Sequence, residues 1–241
     1  MNFSIIIPAF NEKERLPPFM LSLVTQMQKI SLKGEIIIVD DGGSNDDYLS
    51  YLKLTKISNV PVRVIRHNRN LGKGAAIKTG FKSAEGAWVG FADADGATPS
   101  YEVIRLAEIA YASNLDGVFG SRILMLGYAV NRRLARHLCG RVFATLVDMI
   151  FKIPIYDSQC GCKFFKKSKI VSFLELCAEK GYLFDIELIA MGHSNGLTFM
   201  EVPVSWKEMP KGKVHFIKDG LRMVFGLLSI RRRLVRTGII K

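Results

Sequence analysis

Cysteine is scarce in this 241-residue chain, and its four copies are poorly placed for cross-linking. Cys139, Cys160, Cys162 and Cys177 form no CxxC pair and no disulfide framework, which suits a reducing cytosol. Cys160-Gly161-Cys162 offers two soft ligands, but no second Cys/His cluster accompanies it, so two buried thiols are the simpler reading. Long apolar runs are missing too. No uninterrupted stretch approaches the roughly 18–20 residues that span a bilayer. Met1-Asn2-Phe3-Ser4 runs straight into a strand and Pro8, without the regions of a signal peptide. A cytoplasmic protein, or a peripheral one on the cytoplasmic face of a membrane, is the expectation. Internal repeats, low-complexity tracts and Pro/Gly/Ser-rich linkers are also lacking. Two glycine signatures fail as well: no G-x-G-x-x-G follows the first strand, which argues against a dinucleotide oxidoreductase, and the Walker spacing is absent.

Acidic residues are outnumbered, with 34 Lys and Arg against 22 Asp and Glu and a net charge of +12. The excess is uneven. From Lys207 to Lys241 there are ten basic residues against Glu208 and Asp219. Leu221, Val224, Phe225 and Leu228 fall at helical spacing there, followed by Arg231, Arg232, Arg233 and Arg236. An interfacial membrane helix and a core-packing helix with a solvated basic end both fit this pattern.

Apolar segments alternate in period along the chain. Strands are predicted at 3–7, 35–39, 62–65, 87–92 and 117–120, and helices at 15–30, 47–57, 75–84, 99–113, 130–151 and 219–236. Such alternation implies right-handed βαβ units and a mainly parallel, twisted sheet flanked by helices. Chemistry then gathers at strand carboxyl ends, where open α/β sheets bind ligands. Asp93-Ala94-Asp95 closes one apolar strand, and residues i and i+2 point the same way while strand geometry lasts. Two such carboxylates reach one hard divalent cation, Mg²⁺ or Mn²⁺, which keeps sites open for phosphate and water. Asp40-Asp41 ends another strand and suits a pyrimidine N–H or ribose hydroxyls, with Glu12 and the Pro8-Ala9 backbone as the adjacent wall. Asn70-Leu71-Gly72-Lys73-Gly74 sets exposed amides and a cation at a helix start, which suits a diphosphate.

The order of these motifs resembles the inverting GT-A glycosyltransferases of family 2. Ser4 to Glu12, Val39-Asp40-Asp41-Gly42, Asn70 to Ala76 and Phe91 to Ala97 match its successive blocks. Ala92 to Thr98, Gly120-Ser121-Arg122, Asp157 to Lys163, Phe184 to Leu188 and Glu201 to Trp206 are similar to dolichyl-phosphate β-glucosyltransferases. The resemblance implies one GT-A domain over residues 1–210, with a basic amphipathic extension over 211–241. It implies a nucleotide-sugar donor, UDP-glucose foremost, and a polyprenyl (dolichyl) phosphate acceptor. Asp93 and Asp95 would hold the metal, with Asp95 also counted as catalytic. Pro8, Ala9, Glu12, Asp40, Asp41, Lys73, Asp93 and Ala94 would seat the donor, and Arg122 and Arg133 the acceptor phosphate. Asp157 falls at the family's catalytic acidic position, orienting the substrates or acting as a base.

The chain departs from the family pattern at Asp40-Asp41-Gly42-Gly43-Ser44-Asn45-Asp46, which has one residue more before its last acid. With no anchor expected in this sequence, either it meets a lipid acceptor as a peripheral protein, through helices such as 130–151 and 219–236, or the acceptor is not a long lipid. Two rival readings stay open: a family 2 transferase acting on a glycan, protein or small molecule, and a non-catalytic nucleotide-sugar-binding protein. Nucleic acid is disfavoured, because the strand-end carboxylates would repel its backbone and the basic residues sit mainly in the tail.

Overall fold

The computed structural model describes residues 1–42, 59–131, 134–209 and 216–240, the side chains of 134–136 and 216–221 excepted. Arg133, Asp46 and the helix expected over 47–57 lie outside the described residues.

A seven-stranded sheet forms the centre, in the order β3-β2-β1-β4-β7-β5-β8. Its strands are β1 (Phe3–Ala9), β2 (Gly34–Asp40), β3 (Val62–Arg66), β4 (Trp88–Ala92), β5 (Gly117–Ser121), β7 (Cys162–Lys166) and β8 (Phe199–Pro203). All pair in parallel except β7, which runs antiparallel to both β4 and β5. A small side sheet pairs β6 (Val130–Asn131) with β9 (Trp206–Lys207). Pro8 lies inside the central strand β1, where a missing N–H is normally costly. Pairing of β1 with β4 stops at Ile6, so the vacancy faces no β4 acceptor.

Side-chain alternation divides the core into two layers. Ile5, Ile7, Ile36, Ile38, Val118 and Phe164 pack beneath α1 (Leu16–Met27) and α3 (Ser100–Ala112). Ile6, Ile37, Val39, Phe91, Phe119 and Phe165 face the opposite layer. That layer holds α2 (Lys73–Ser83), α4 (Leu134–Phe151), α5 (Lys167–Leu176), α6 (Phe184–Ser194) and α7 (Phe216–Arg236). The helix expected over 219–236 forms as α7, and the one expected over 130–151 forms as α4 only from Leu134, since Val130–Asn131 pairs as β6; the two helices pack against each other.

The basic carboxyl-terminal segment joins the core rather than standing off from it. Leu227, Ile230, Leu234 and Ile240 are buried in the same cluster as Ile6 and Phe91. Arg233 pairs with the buried carboxylate of Glu187 on α6, and Arg231 donates to the Ile150 carbonyl of α4 at 2.5 Å. The expected stripe is rotated on the helix: Phe225 is 70% exposed, while the buried seam runs through Leu227, Ile230 and Leu234.

Candidate active site

Parallel strands deliver their carboxyl ends to one edge, so the segments after β1, β2, β4 and β5 converge there. Because β7 is antiparallel, its start meets the same edge and brings Asp157 to Gly161 with it. The Asp93 amide donates to the Gly161 carbonyl at 3.0 Å, continuing the β4–β7 ladder into the site.

Strand β4 ends at Ala92, so Asp93 and Asp95 sit in the turn that follows rather than on one strand face as expected, and both remain partly exposed. Burial and then the Asp93 carboxylate raise the pKa of Asp95, against the Ala97 amide, Arg15 and Lys73. Such a like-charge pair is relieved by a cation. Among the described residues no third His, Cys, Asp or Glu completes a set, so the candidate ligands there are the two carboxylates. That donor set fits a hard divalent ion completed by water and diphosphate oxygens. Lys73, in the first turn of α2, places its Nζ 2.5 Å from Asp93 Oδ1 and over the Phe91 ring. Burial opposes its charge, but Asp93, helped by Asp185 and Tyr182, more than offsets this and raises its pKa above the usual lysine value.

The loop that presents Lys73 is built by residues from other strands. Asp41 accepts from the Leu71 and Gly72 amides at 2.9 and 2.8 Å and contacts His67 Nδ1 at 2.8 Å. Asp41 therefore anchors this loop. Gly72 has φ +103, and a Cβ there would meet the Lys180 carbonyl oxygen at 2.4 Å. Asp40 is fully buried and accepts from Arg66 Nε at 2.5 Å. Glu12 forks Arg15 at 2.6 and 2.7 Å, and Arg15 reaches Asp95 at 4.0 Å, so the β1 wall is wired to the carboxylate pair. Pro8 and Ala9 end β1 beside it, and Ala94 turns its side chain into the core under α1.

Arg122 and Asp157 meet as a buried bidentate pair, Nε–Oδ2 and Nη2–Oδ1 both at 2.7 Å, with the Arg122 amide also on Oδ2. Burial works against the Asp157 charge, yet Arg122 lowers its pKa to about 2. Held against Arg122 in this way, Asp157 is an anion at neutral pH, and so acidic a carboxylate is a weak proton acceptor. Glu201 on β8 fixes this segment by accepting from the Tyr156 and Asp157 amides at 2.6 and 2.7 Å.

Several residues in the cluster were not singled out from the sequence. Gly161 matters for its missing side chain, since a Cβ there would lie 2.0 Å from Asp93 Oδ2. Lys163 is fully buried, donates to the Ser158 and Cys160 carbonyls at 2.9 Å, and pairs with Asp185 at the start of α6. Lysine pointing inward from an apolar strand was the available signal. Cys160 and Cys162 are indeed buried and free, and burial pushes the Cys160 thiol up to about 11, which disfavours a soft-metal role.

Residues 4–172 match the profile of glycosyl transferase family 2. The chain belongs to that family. Dolichyl-phosphate beta-glucosyltransferases are similar to this family 2 member over 95% of its length. The human protein is 30% identical, with 75% of its length covered, and the Drosophila melanogaster protein 31%, with 74%. The Saccharomyces cerevisiae protein of the same name is 28% identical, with 73% covered. Among solved structures, glucosyl-3-phosphoglycerate synthase from Mycobacterium tuberculosis shares the fold. Its complex with UDP superposes with a TM-score of 0.68 at 17% identity, over 100% of this chain and 81% of that one. Its complex with Mn²⁺ and UDP-glucose gives 0.67 at 16%, over 95% and 78%. The sheet and its helical layers are therefore a GT-A arrangement.

Proposed function

We propose that this family 2 member transfers glucose from UDP-glucose to the phosphate of a polyprenyl lipid, with inversion at the anomeric carbon. The observation that carries the reading is the pairing of two half-sites across Gly161. On one side stand Asp93, Asp95 and Lys73; on the other, the buried Arg122–Asp157 pair. The donor and acceptor classes rest on the named relatives, whose similarity spans nearly the whole chain.

Asp93 and Asp95 would hold Mg²⁺ or Mn²⁺, which when bound would neutralise charge on the leaving nucleotide diphosphate. Lys73 adds a further cation on that side. Asp40, Glu12 and the Pro8-Ala9 backbone border the base and ribose. A phosphate monoester is already largely ionised at pH 7, so the nucleophile needs no proton removed. Asp157 keeps Arg122 charged and aimed, and Arg122 draws the acceptor phosphate towards the anomeric carbon. Catalysis is then chiefly orientation and charge placement.

No helix among the described residues is long and apolar enough to cross a membrane. Exposed apolar side chains instead occur on three segments, the first just after Arg122. Leu124, Met125 and Leu126 follow it, Leu126 being 98% exposed, and Leu138, Val142 and Met149 form an outward stripe on α4. Phe225, Leu228 and Val235 are likewise exposed on α7, as are Arg222, Arg232 and Arg236. These exposed groups suit peripheral binding to an anionic, cytoplasm-facing bilayer. The test is a panel of labelled nucleotide sugars offered with a short polyprenyl phosphate. UDP-glucose should label the lipid best. Label passing only to water-soluble acceptors would sink the lipid reading.

A further inference from the structure

We infer that Lys73 is a stand-in cation: it occupies the Asp93 carboxylate until metal and donor arrive together, and so makes their binding interdependent. The inference rests on the reading of Asp93 and Asp95 as metal ligands. Its observation is the Nζ–Oδ1 contact of 2.5 Å, made by a lysine only 26% exposed on a helix start that cannot slide. The helix is fixed because a Cβ on Gly74 would stand 2.4 Å from Phe184 Cβ, and because the Ala75 amide donates to the Lys180 carbonyl. Of the other carboxylates in the field of Lys73, Asp95 is the second ligand of the proposed metal, and Asp185 is already paired with the buried Lys163, which is itself bound to the Ser158 and Cys160 carbonyls.

A metal ion entering alone must take Asp93 from Lys73. It leaves the ammonium beside a new divalent charge, with Asp95 taken by the same metal and Asp185 engaged by Lys163. A diphosphate entering with the metal gives Lys73 a fresh anionic partner and removes that penalty. Metal and donor should therefore bind with positive coupling that passes through this one side chain. The coupling is reciprocal, so the diphosphate must also bind better once metal is present.

The experiment measures Mn²⁺ affinity by electron paramagnetic resonance and by calorimetry, with and without saturating UDP, for wild type, Lys73→Met and Lys73→Arg. Removing the competitor should tighten Mn²⁺ binding without UDP by roughly tenfold, the scale of one charge-assisted contact. The factor by which UDP tightens Mn²⁺ should shrink in Lys73→Met by about the same amount, and Lys73→Arg should restore much of it. A merely structural lysine would loosen both affinities, never tighten the first. Lys73→Met binding Mn²⁺ alone no better than wild type, with its thermal melt unchanged, would overturn the inference while leaving the metal site standing. Absence of Mn²⁺ binding in wild type with UDP would overturn both. Should Lys73→Met fold poorly, Lys73→Gln is read in the same way.

Discussion

Asp93 occupies the space that a side chain on Gly161 would need, and this single steric fact ties the carboxylate pair to the β7 ladder. Gly161→Ala should displace the Asp93 carboxylate with little effect on the sheet. We expect transfer to fall by about a hundredfold, as for a catalytic group misplaced by an ångström, with the thermal midpoint nearly unchanged. Wild-type turnover in that variant would show that Asp93 is not held where the site needs it. The Arg122–Asp157 pair makes a different prediction. Arg122→Met leaves Asp157 buried and unpaired, a loss of about 3–5 kcal/mol that urea unfolding should register. The double variant Arg122→Met/Asp157→Leu should recover much of that stability while remaining inactive. Additive losses would mean that the two side chains are not coupled. Since the Asp157 pKa is depressed in the fold, its contribution is complete above the ordinary carboxylate value and is lost as pH falls towards about 2. Stability should therefore drop by roughly 2 kcal/mol between about pH 4 and pH 2, and less in the double variant.

Helix α7 shows how an element divides its residues between core and surface. Ile230→Ala removes a fully buried side chain and should cost about 2–5 kcal/mol. Phe225→Ser, on the exposed stripe, should change stability by less than about 0.5 kcal/mol, yet weaken co-sedimentation with anionic vesicles at low salt. Arg232→Gln/Arg236→Gln should weaken it further, by about 1 kcal/mol per charge. Arg231 and Arg233 are poor probes, because their bonds to Ile150 and Glu187 hold the helix in place. Sedimentation unaffected by these exposed-face changes would assign the stripe to another contact. The sequence carried the helix and its amphipathicity, since period and charge are local properties. It did not carry which stripe is buried, because that depends on α4 and α6 packing against it. The strands β1, β2, β4 and β5 were legible for the same local reason. Strand β7, Cys162–Lys166, was not placed beforehand: a short apolar run containing an inward lysine has no clear period, and its antiparallel insertion between β4 and β5 is a tertiary fact.

Across the whole molecule, the reversal of β7 makes the two half-sites into neighbours. The carboxylates and Lys73 come from parallel βα turns, whereas Asp157 comes from the start of a strand running the other way. The strand-end acids and the Lys73 loop could be read from motif order. The engagement of Asp41 with that loop, and of Arg122 with Asp157, required the fold. The central claim is that one sheet edge holds a metal-supported nucleotide sugar on Asp93 and Asp95 and presents it to a lipid phosphate beside Arg122. The most direct measurement follows label from UDP-glucose into a short polyprenyl phosphate extracted into organic solvent. It compares wild type with Mn²⁺, wild type with excess EDTA, and Asp95→Asn with Mn²⁺. We predict label in the lipid phase only in the first case, with the folded-state circular dichroism of Asp95→Asn intact. Equal labelling in all three, or none in the first across a range of polyprenyl phosphates, would contradict the account.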